Sequence, residues 1–354
     1  LRKCTVGVGG GLCGVERNEV FSITAASEVM AILCLCTDPD DLKNRLKNIS
    51  IAYNTDGKLV TAGDLHAEGA MATLLKDAIN PNLVQSIEHI PAFVHGGPFA
   101  NISHGCNTVI ATKAGLKLSD ILITEAGFGA DLGAEKFLDI KCRAAGIWPD
   151  AVVIVATARS LKYNAGIPKA ELNTPNVEAV KTGFANLAKH IENMNTYGIP
   201  CVVAANRFLT DTDEEIAMMK SMCEQLGAKF AAAEIFAKGG EGGLELADAV
   251  MAQIESKTTK QPSYVYELNQ SVEDKINAVA KTIYGAKDVD ILPDAAAKIK
   301  EFTDSGFANL PICIAKTQYS LSDNAKALGR PVDYTLTVRD VWLSSGAGYL
   351  VVLT

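Results

Sequence analysis

Ala151-Val-Val-Ile-Val-Ala-Thr157 is the stretch that decides the fold of this chain. It is a short, unbroken apolar run rich in β-branched residues, a pattern typical of a strand buried on both faces of a parallel sheet. A similar run occupies residues 199–205, and weaker ones occupy residues 119–123 and 229–235. We therefore expect a mainly parallel sheet built around residues 151–157.

Segments with helical patterns separate these runs. Residues 177–194 place apolar side chains at helical spacing, and residues 244–254 are amphipathic. Thr212-Asp-Glu-Glu215 has the order of a capping box and predicts a helix that continues through Met222. Strands that alternate with helices indicate an α/β fold.

The chain changes character after residue 255. Residues 256–263 are polar and unpatterned, which predicts a linker. The patterns that follow indicate a smaller α+β domain. Helices are predicted over residues 272–284 and 294–303, and strands over residues 310–315, 334–341 and 349–353.

Composition argues against several classes of protein. The 354 residues are 48% hydrophobic and carry a net charge of −8, which supports a large core and disfavours nonspecific nucleic-acid binding. No apolar run approaches the roughly 18 residues that a membrane-spanning helix needs, and no signal-peptide pattern follows Leu1. The nine cysteines and five histidines are too dispersed for a metal site, so we expect reduced thiols and no metal ligands.

One glycine-rich loop has the composition of a ligand site. Thr124-Glu-Ala-Gly-Phe-Gly-Ala-Asp-Leu-Gly-Ala-Glu-Lys-Phe137 holds three glycines and the aromatic Phe128, and it follows the apolar run Ile121-Leu-Ile123. Glycine permits close approach of the backbone to a ligand, and the free N–H groups of a helix start attract anions. We expect this loop to join a strand to a helix and to contact a ligand.

Three loops of this kind each hold a phenylalanine. Phe128 belongs to the first, Phe208 follows the run at residues 202–205, and Phe236 follows the run at residues 231–235. Aromatic residues make up only 6% of the chain, and open parallel sheets bind ligands outside the carboxyl ends of their strands. A flat heteroaromatic ligand among these rings is one interpretation. The alternative is that each ring packs its own loop onto the core.

Other glycine-rich stretches carry weaker signals. Lys238-Gly-Gly-Glu-Gly-Gly243 resembles a phosphate cradle, but the sequence contains no G-x-x-x-x-G-K-[ST] motif. The run from Gly7 to Gly14 faintly suggests a dinucleotide fingerprint with the wrong spacing, and a flexible turn is the favoured interpretation. Residues 95–107 contain two His and two Asn, which either position a substrate or satisfy their own backbone.

The loop at residues 124–137, with Asp139-Ile-Lys-Cys-Arg143 after it, closely resembles formate–tetrahydrofolate ligase. The resemblance covers essentially the whole chain, including residues 23–30, 95–102, 237–247 and 315–320. It implies a truncated P-loop-NTPase-like core with a mainly parallel sheet and smaller α/β and α+β domains. The domains expected are the C-terminal part of a large nucleotide-binding domain at residues 1–187, an α/β folate-side domain at 188–257 and an incomplete α+β domain at 258–354.

The resemblance also implies an activity. Members make 10-formyltetrahydrofolate from formate, ATP and tetrahydrofolate through formyl phosphate, using Mg²⁺ and a monovalent cation, as cytoplasmic homotetramers. The chain begins without Met and lacks the family's P-loop region and C-terminal tail. We therefore expect a fragment that is inactive alone. The alternatives are a non-catalytic folate-binding or structural homologue and, on the Gly7 to Gly14 run only, a nicotinamide-dependent dehydrogenase.

The resemblance assigns roles to residues by motif. Phe208, Leu209 and Phe236 would surround the pterin ring, with Gly239 and Gly240 in the folate-side loop. Formyl phosphate would lie near Phe128 and its neighbours Gly127, Gly129 and Ala130. Formyl transfer develops negative charge that needs cationic and backbone donors, and the cations that could supply them are Arg159, Lys162 and Lys316.

Two of the folate-side positions depart from the family. Most members have Trp where this chain has Phe236, and many have Pro where it has Leu209. The family signature around residues 155–166 is also loosened, with Ala158 and Ala165 at positions that are usually Ile or Val and Gly. Because Phe offers a smaller stacking face than Trp, we expect weaker binding of tetrahydrofolate.

Overall fold

The structure is a computed structural model that describes residues 3–11, 14–20 and 23–354. It is a mixed α/β protein, as expected. Its strands are β1 Lys3–Val6, β2 Arg17–Val20, β3 Ser50–Tyr53, β4 Leu59–Thr61, β5 Asn82–Gln85, β6 Pro91–Val94, β7 Val152–Ala156, β8 Cys201–Asn206, β9 Lys229–Ala233, β10 Asp288–Ile291, β11 Ile312–Ala315, β12 Thr335–Val338, β13 Asp340–Ser344 and β14 Tyr349–Leu353.

Helices connect and cover these strands. The α-helices are α1 Glu28–Leu35, α2 Pro39–Lys47, α3 Glu68–Leu74, α4 Val109–Leu118, α5 Arg143–Ala145, α6 Ala158–Asn164, α7 Val177–Thr196, α8 Asp213–Gln225, α9 Ile235–Lys238, α10 Leu244–Glu255, α11 Val272–Val279 and α12 Pro293–Asp304. Shorter 3₁₀ turns occur at Thr24–Ala26, Lys169–Glu171 and Gly239–Gly243, and π-helices at Gly129–Ala134, Phe137–Cys142 and Ala280–Tyr284. In the described part of the chain, no helix has the length and apolarity needed to cross a bilayer.

The sheet that carries the predicted site has the order β7-β8-β9, with both pairs parallel. This confirms the parallel strands expected from residues 151–157 and their neighbours. The expectation that residues 151–157 are buried on both faces is wrong, because Val155 is 68% exposed. Val153 and Val155 lie on the same face of β7, and that face is exposed, whereas the central strand β8 is buried along Cys201–Ala205.

Helix α7 packs on the opposite face of this sheet. Ile154 of β7 and Val203 of β8 are paired in register and share a core with Val180 and Phe184 of α7. The Thr212 hydroxyl accepts from the Glu215 N–H and the Glu215 carboxylate from the Thr212 N–H, which confirms the predicted capping box of α8. This cap fixes the start of α8 directly after the loop that follows β8.

A second sheet shares that core, whereas the apolar side chains of α1 and α2 belong to a separate cluster. Strands β11, β14 and β13 form a second sheet, and Leu350 of β14 belongs to the same apolar cluster as Phe184. The single strand predicted over residues 334–341 is two strands, β12 and β13, separated at Arg339. Residues 187 and 188 both lie within α7, and residue 258 follows α10 in coil. The three-domain division and the P-loop-NTPase-like ancestry of the core stay predictions.

A buried helix runs from residue 129 to residue 145 and is called the central helix below. It contains the π-helices Gly129–Ala134 and Phe137–Cys142 and ends in α5. This confirms the helix predicted after the glycine-rich loop. The strand predicted at residues 121–123 is wrong: these residues pair with no other strand, and Ile123 is 88% exposed.

The run from Gly7 to Gly14 does not lie in a βαβ unit. Strands β1 and β2 flank it and pair antiparallel, with Cys4 opposite Glu19. A hairpin turn of this kind agrees with the favoured interpretation of a turn and not with a dinucleotide-binding fold. Two members of the run, Leu12 and Cys13, lie outside the described residues.

Substitution of Gly183 should test the packing of α7 on α6. A Cβ atom at Gly183 would lie 1.8 Å from the Leu161 carbonyl oxygen, and a backbone atom cannot move aside cheaply. We expect Gly183→Ala to lower the free energy of unfolding by about 1–3 kcal/mol, measured by urea titration. Gly69→Ala is the control, because nothing lies within 4 Å of that Cβ position in α3; it should gain about 0.5–1 kcal/mol. Equal stability of the two variants would contradict the packing.

Candidate functional site

Two of the loops singled out in the sequence pack tightly against one another. The Asn107 side-chain amide donates to the Thr124 hydroxyl at 2.7 Å. Gly127 has φ +76°, and a Cβ atom there would lie 2.7 Å from the Gly105 carbonyl oxygen, so only glycine fits. Phe128 follows with 52% of its surface exposed. These contacts fix the conformation of the loop, and the Phe128 side chain faces outward from it.

The polar side chains of the loop at residues 95–107 mainly contact other parts of the chain. One ring nitrogen of His95, Nδ1, contacts the Thr108 hydroxyl at 2.7 Å, and the other, Nε2, contacts the Ala78 carbonyl oxygen at 2.7 Å. His104 is fully buried, and neither of its ring nitrogens has a hydrogen-bond partner among the described residues. The contacts of His95 and Asn107 favour the interpretation in which polar side chains satisfy nearby backbone and hydroxyl groups, whereas His104 does not follow it.

A buried ion pair joins the Phe128 loop to the loop after β11. Asp131, in the first turn of the central helix, lies 2.7 Å from the Lys316 ammonium. Lys316 also donates to the carbonyl oxygens of Thr317 and Ser320. Burial raises the pKa of Asp131, but Lys316 and His190 outweigh it and the net pKa is lowered. All three N–H donors of Lys316 are used, so this cation supports the loops from below the surface.

The loops after β7, β8 and β9 lie side by side. The Arg159 guanidinium, at the start of α6, lies 5.1 Å from the centroid of the Phe208 ring. The Arg207 N–H donates to the Ala233 carbonyl oxygen at 2.9 Å, which holds the loop after β8 against the end of β9. Phe208 is anchored by its own N–H, which donates to the Asp211 carboxylate at 2.9 Å. The structure thus brings Arg159 and Phe208 together and positions the Phe236 loop beside them.

Two apolar side chains in these loops have almost no contact with the core. Leu209 is 91% exposed and Phe236 is 95% exposed, while Phe208 is 39% exposed. The alternative in which each phenylalanine packs its loop onto the core therefore fails for Phe236. A large ring exposed this fully is available to stack on a ligand.

The contacts of Lys162 are those of a residue that stabilises the fold. Its ammonium is fully buried, lies 2.9 Å from the Glu215 carboxylate and donates to the Thr174 carbonyl oxygen at 3.1 Å. Glu215 also accepts from the Asn176 N–H at 2.9 Å. These contacts tie α6 to α8. A catalytic role for Lys162 stays a prediction, and its charge is already paired.

A side chain of the protein, the Glu88 carboxylate, binds the backbone of the glycine-rich loop at residues 239–243. The Gly240 N–H donates to the Glu88 carboxylate at 2.8 Å, and a Cβ atom at Gly240 would lie 2.6 Å from Glu88 Oε2. Glu88 lies in the turn between β5 and β6, so this contact joins distant parts of the sequence. A negative carboxylate at this loop opposes a phosphate group by like-charge repulsion.

The loop at residues 239–243 does not fit the phosphates of ATP. Its backbone binds the Glu88 carboxylate, and the sequence has no G-x-x-x-x-G-K-[ST] motif. Nowhere in residues 3–11, 14–20 and 23–354 do three His, Cys, Asp or Glu side chains form a group fit for a metal ion.

An open pocket lies next to Phe208. Its volume is about 370 Å³, and it is lined by Arg159, Ser160, Tyr163, Lys169, Leu172 and Tyr319. Sequence reasoning identified only Arg159 among these residues. Tyr163 lies one helical turn after Arg159, which is a usable signal, but the approach of Tyr319 depends on tertiary packing alone.

Three carboxyl groups follow one another along the central helix, and their surroundings differ. Asp131 pairs with Lys316, and Asp139 accepts from the Tyr197 hydroxyl at 2.7 Å and the Val265 N–H at 3.1 Å. Glu135 lies between them, and neither of its oxygens has a hydrogen-bond partner among the described residues. Burial, and then the charge of Asp139, raise the pKa of Glu135 well above its ordinary value. Burial also raises the pKa of Asp139, to about 6.

The fold is that of an α/β protein whose loops at the carboxyl ends of parallel strands expose apolar and aromatic side chains. A family model for formate–tetrahydrofolate ligase matches residues 1–354. The chain therefore belongs to the formate–tetrahydrofolate ligase family. Membership implies ATP-dependent ligation of formate to tetrahydrofolate, a reaction of one-carbon metabolism.

Substitution of Glu135 should change how stability depends on pH. A carboxyl whose pKa is raised in the folded state binds protons more strongly there, so the free energy of unfolding falls as pH rises above the ordinary pKa of 4.5. Glu135→Gln removes this contribution while keeping the shape of the side chain. We expect a shallower fall in stability above about pH 4.5, measured by denaturant titration at several pH values.

Asp131→Asn is the matched comparison. The pKa of Asp131 is lowered in the folded state, so this group stabilises the protein above its ordinary pKa of 3.8 and that contribution is lost as pH falls. The variant leaves Lys316 buried without its counter-charge, so we expect a loss of about 3–5 kcal/mol at pH 7. A wild-type pH slope in Glu135→Gln would show that Glu135 is not buried as described.

Proposed function

We propose that the loops after β8 and β9 form the tetrahydrofolate side of a ligase site. Phe208, Leu209 and Phe236 present apolar surface to the pterin ring, with Gly239 and Gly240 in the loop that supports Phe236. The observation that carries this proposal is the 95% exposure of Phe236, in a chain where aromatic residues are scarce. Membership in the ligase family supplies the ligand chemistry.

The Phe128 loop is proposed as the wall next to the formyl group. Phe128 is half exposed, and Gly129 has φ +73°, which lets the backbone of Gly129 and Ala130 approach a bound molecule. If the formyl group arrives as formyl phosphate, its transfer develops negative charge that a cation must stabilise. Among the three cations considered, Arg159 is the one without a carboxylate partner in the described residues, so we assign it this role.

Other parts of the proposal rest on family membership. They are the use of Mg²⁺ and a monovalent cation, assembly as a homotetramer, a cytoplasmic location and the division of the chain at residues 187 and 257. The alternative is a non-catalytic folate-binding homologue. The Glu88 carboxylate, which disfavours ATP phosphates at the glycine-rich loop, supports that alternative for this chain taken alone.

Substitution of Phe236 tests the stacking. Because Phe236 has almost no contact with the core, Phe236→Ala should leave the thermal unfolding temperature unchanged. Loss of one aromatic pair, about 0.5–1.5 kcal/mol, should weaken tetrahydrofolate binding roughly 2- to 13-fold, measured by titration calorimetry. Phe236→Trp offers a larger face and should tighten binding. Unchanged affinity in both variants would overturn the proposed pterin site, and Leu118→Ala, at another exposed residue, is the control.

The ligase reaction uses tetrahydrofolate and Mg-ATP, and the binding of each can be measured separately. Because Glu88 fills the glycine-rich loop, we expect titration of Mg-ATP into this chain to show no saturable binding under conditions in which tetrahydrofolate binds. Saturable Mg-ATP binding by the 354-residue chain would show that its residues do form a nucleotide site. Glu88→Gln removes the negative charge, so it reports whether that carboxylate causes the exclusion.

A further inference from the structure

The pocket next to Phe208 combines features that a ligand's anionic end requires. Two cations, Arg159 and Lys169, and two aromatic rings, Tyr163 and Tyr319, line it, and none of its lining residues is acidic. The side chain of Leu172 is buried and supplies an apolar surface. Tyr319 is 55% exposed, so its ring is open to a ligand.

Lys169 has no carboxylate partner in the part of the chain that the structure describes. Its ammonium lies 5.9 Å from the Tyr163 ring centroid, and no hydrogen bond or ion pair engages it. Most cations around the site are paired: Lys162 with Glu215, Lys316 with Asp131 and Arg207 with Asp213. An unpaired cation beside a second cation favours binding of an anion.

Arg159 connects this pocket to the proposed pterin site. Its guanidinium lies over the Phe208 ring, and the same side chain lines the pocket. A molecule whose flat ring stacks on Phe208 can therefore extend past Arg159 into the pocket. Tetrahydrofolate has this shape, because a benzoyl ring and a carboxylate-bearing glutamate follow its pterin.

We propose that this pocket binds the aminobenzoyl-glutamate end of tetrahydrofolate. The benzoyl ring lies beside Tyr163 and Tyr319, and a glutamate carboxylate pairs with Lys169. The inference rests on the proposed function, since it assumes that the pterin stacks on Phe208. A phosphate group offers the same negative charge as a carboxylate, so the experiment must distinguish the two sources.

The test compares two ligands on matched variants. Tetrahydropteroate keeps the pterin and benzoyl rings of tetrahydrofolate but lacks the glutamate. Lys169→Gln should weaken tetrahydrofolate binding about 3- to 10-fold, as expected for loss of a charged hydrogen bond, and leave tetrahydropteroate binding unchanged. Lys43→Gln, at an exposed lysine of α2 that does not line the pocket, should change neither. Affinities are measured by titration calorimetry at low and high salt, and only the Lys169-dependent part should fall with salt.

Every other result contradicts either this inference or the proposed function on which it rests. If Lys169→Gln weakens both ligands equally, or neither, the pocket does not recognise the glutamate and this inference fails alone. If inorganic phosphate competes with tetrahydrofolate through Lys169 while the two ligands bind wild type equally well, the pocket is a phosphate site. If wild type binds neither ligand, the proposed function fails as well.

Discussion

The ion pair between Asp131 and Lys316 is the contact on which the site depends most. Both side chains are almost wholly buried, and removing two charges from water costs several kcal/mol for each. Such a pair persists only where its geometry is close and its remaining donors are satisfied, as they are here through Thr317 and Ser320. The pair ties the start of the central helix to the loop that carries Tyr319. It thereby connects the Phe128 loop to the pocket beside Phe208.

The central helix shows how surroundings set the charge of identical groups. The Lys316 ammonium lowers the pKa of Asp131, whereas burial and the charge of Asp139 raise the pKa of Glu135, a turn further on, despite the nearby charge of Lys136. Tyr197 and Arg143 support the ionised form of Asp139, but burial outweighs them and raises its pKa. The pKa values of carboxyl groups on one helix are therefore shifted in opposite directions by their surroundings.

Local patterns predicted most of the elements and few of the contacts. The β-branched run at residues 151–157 predicts a strand because strand preference is encoded locally, but its exposure depends on which elements pack on each face, which local pattern does not encode. The run at residues 121–123 has similar character but pairs with no strand in the described part of the chain. The sequence indicates Lys162 and Lys316 as candidate cations of the site. Their partners Glu215 and Asp131 are distant in sequence, so local pattern does not predict the ion pairs that occupy their donors.

The contact between Glu88 and Gly240 also bears on which ligands the proposed pterin site would accept. A carboxylate fixed 2.8 Å from the backbone of that loop places a negative charge near the support of Phe236. Stacking on phenylalanine by itself does not discriminate between a pterin and a purine. Purine nucleotides carry phosphates, and tetrahydrofolate carries its negative charge on the glutamate, beyond the pterin and benzoyl rings. In the proposed pterin site, the carboxylate on the hairpin between β5 and β6 would therefore disfavour a nucleotide more than tetrahydrofolate.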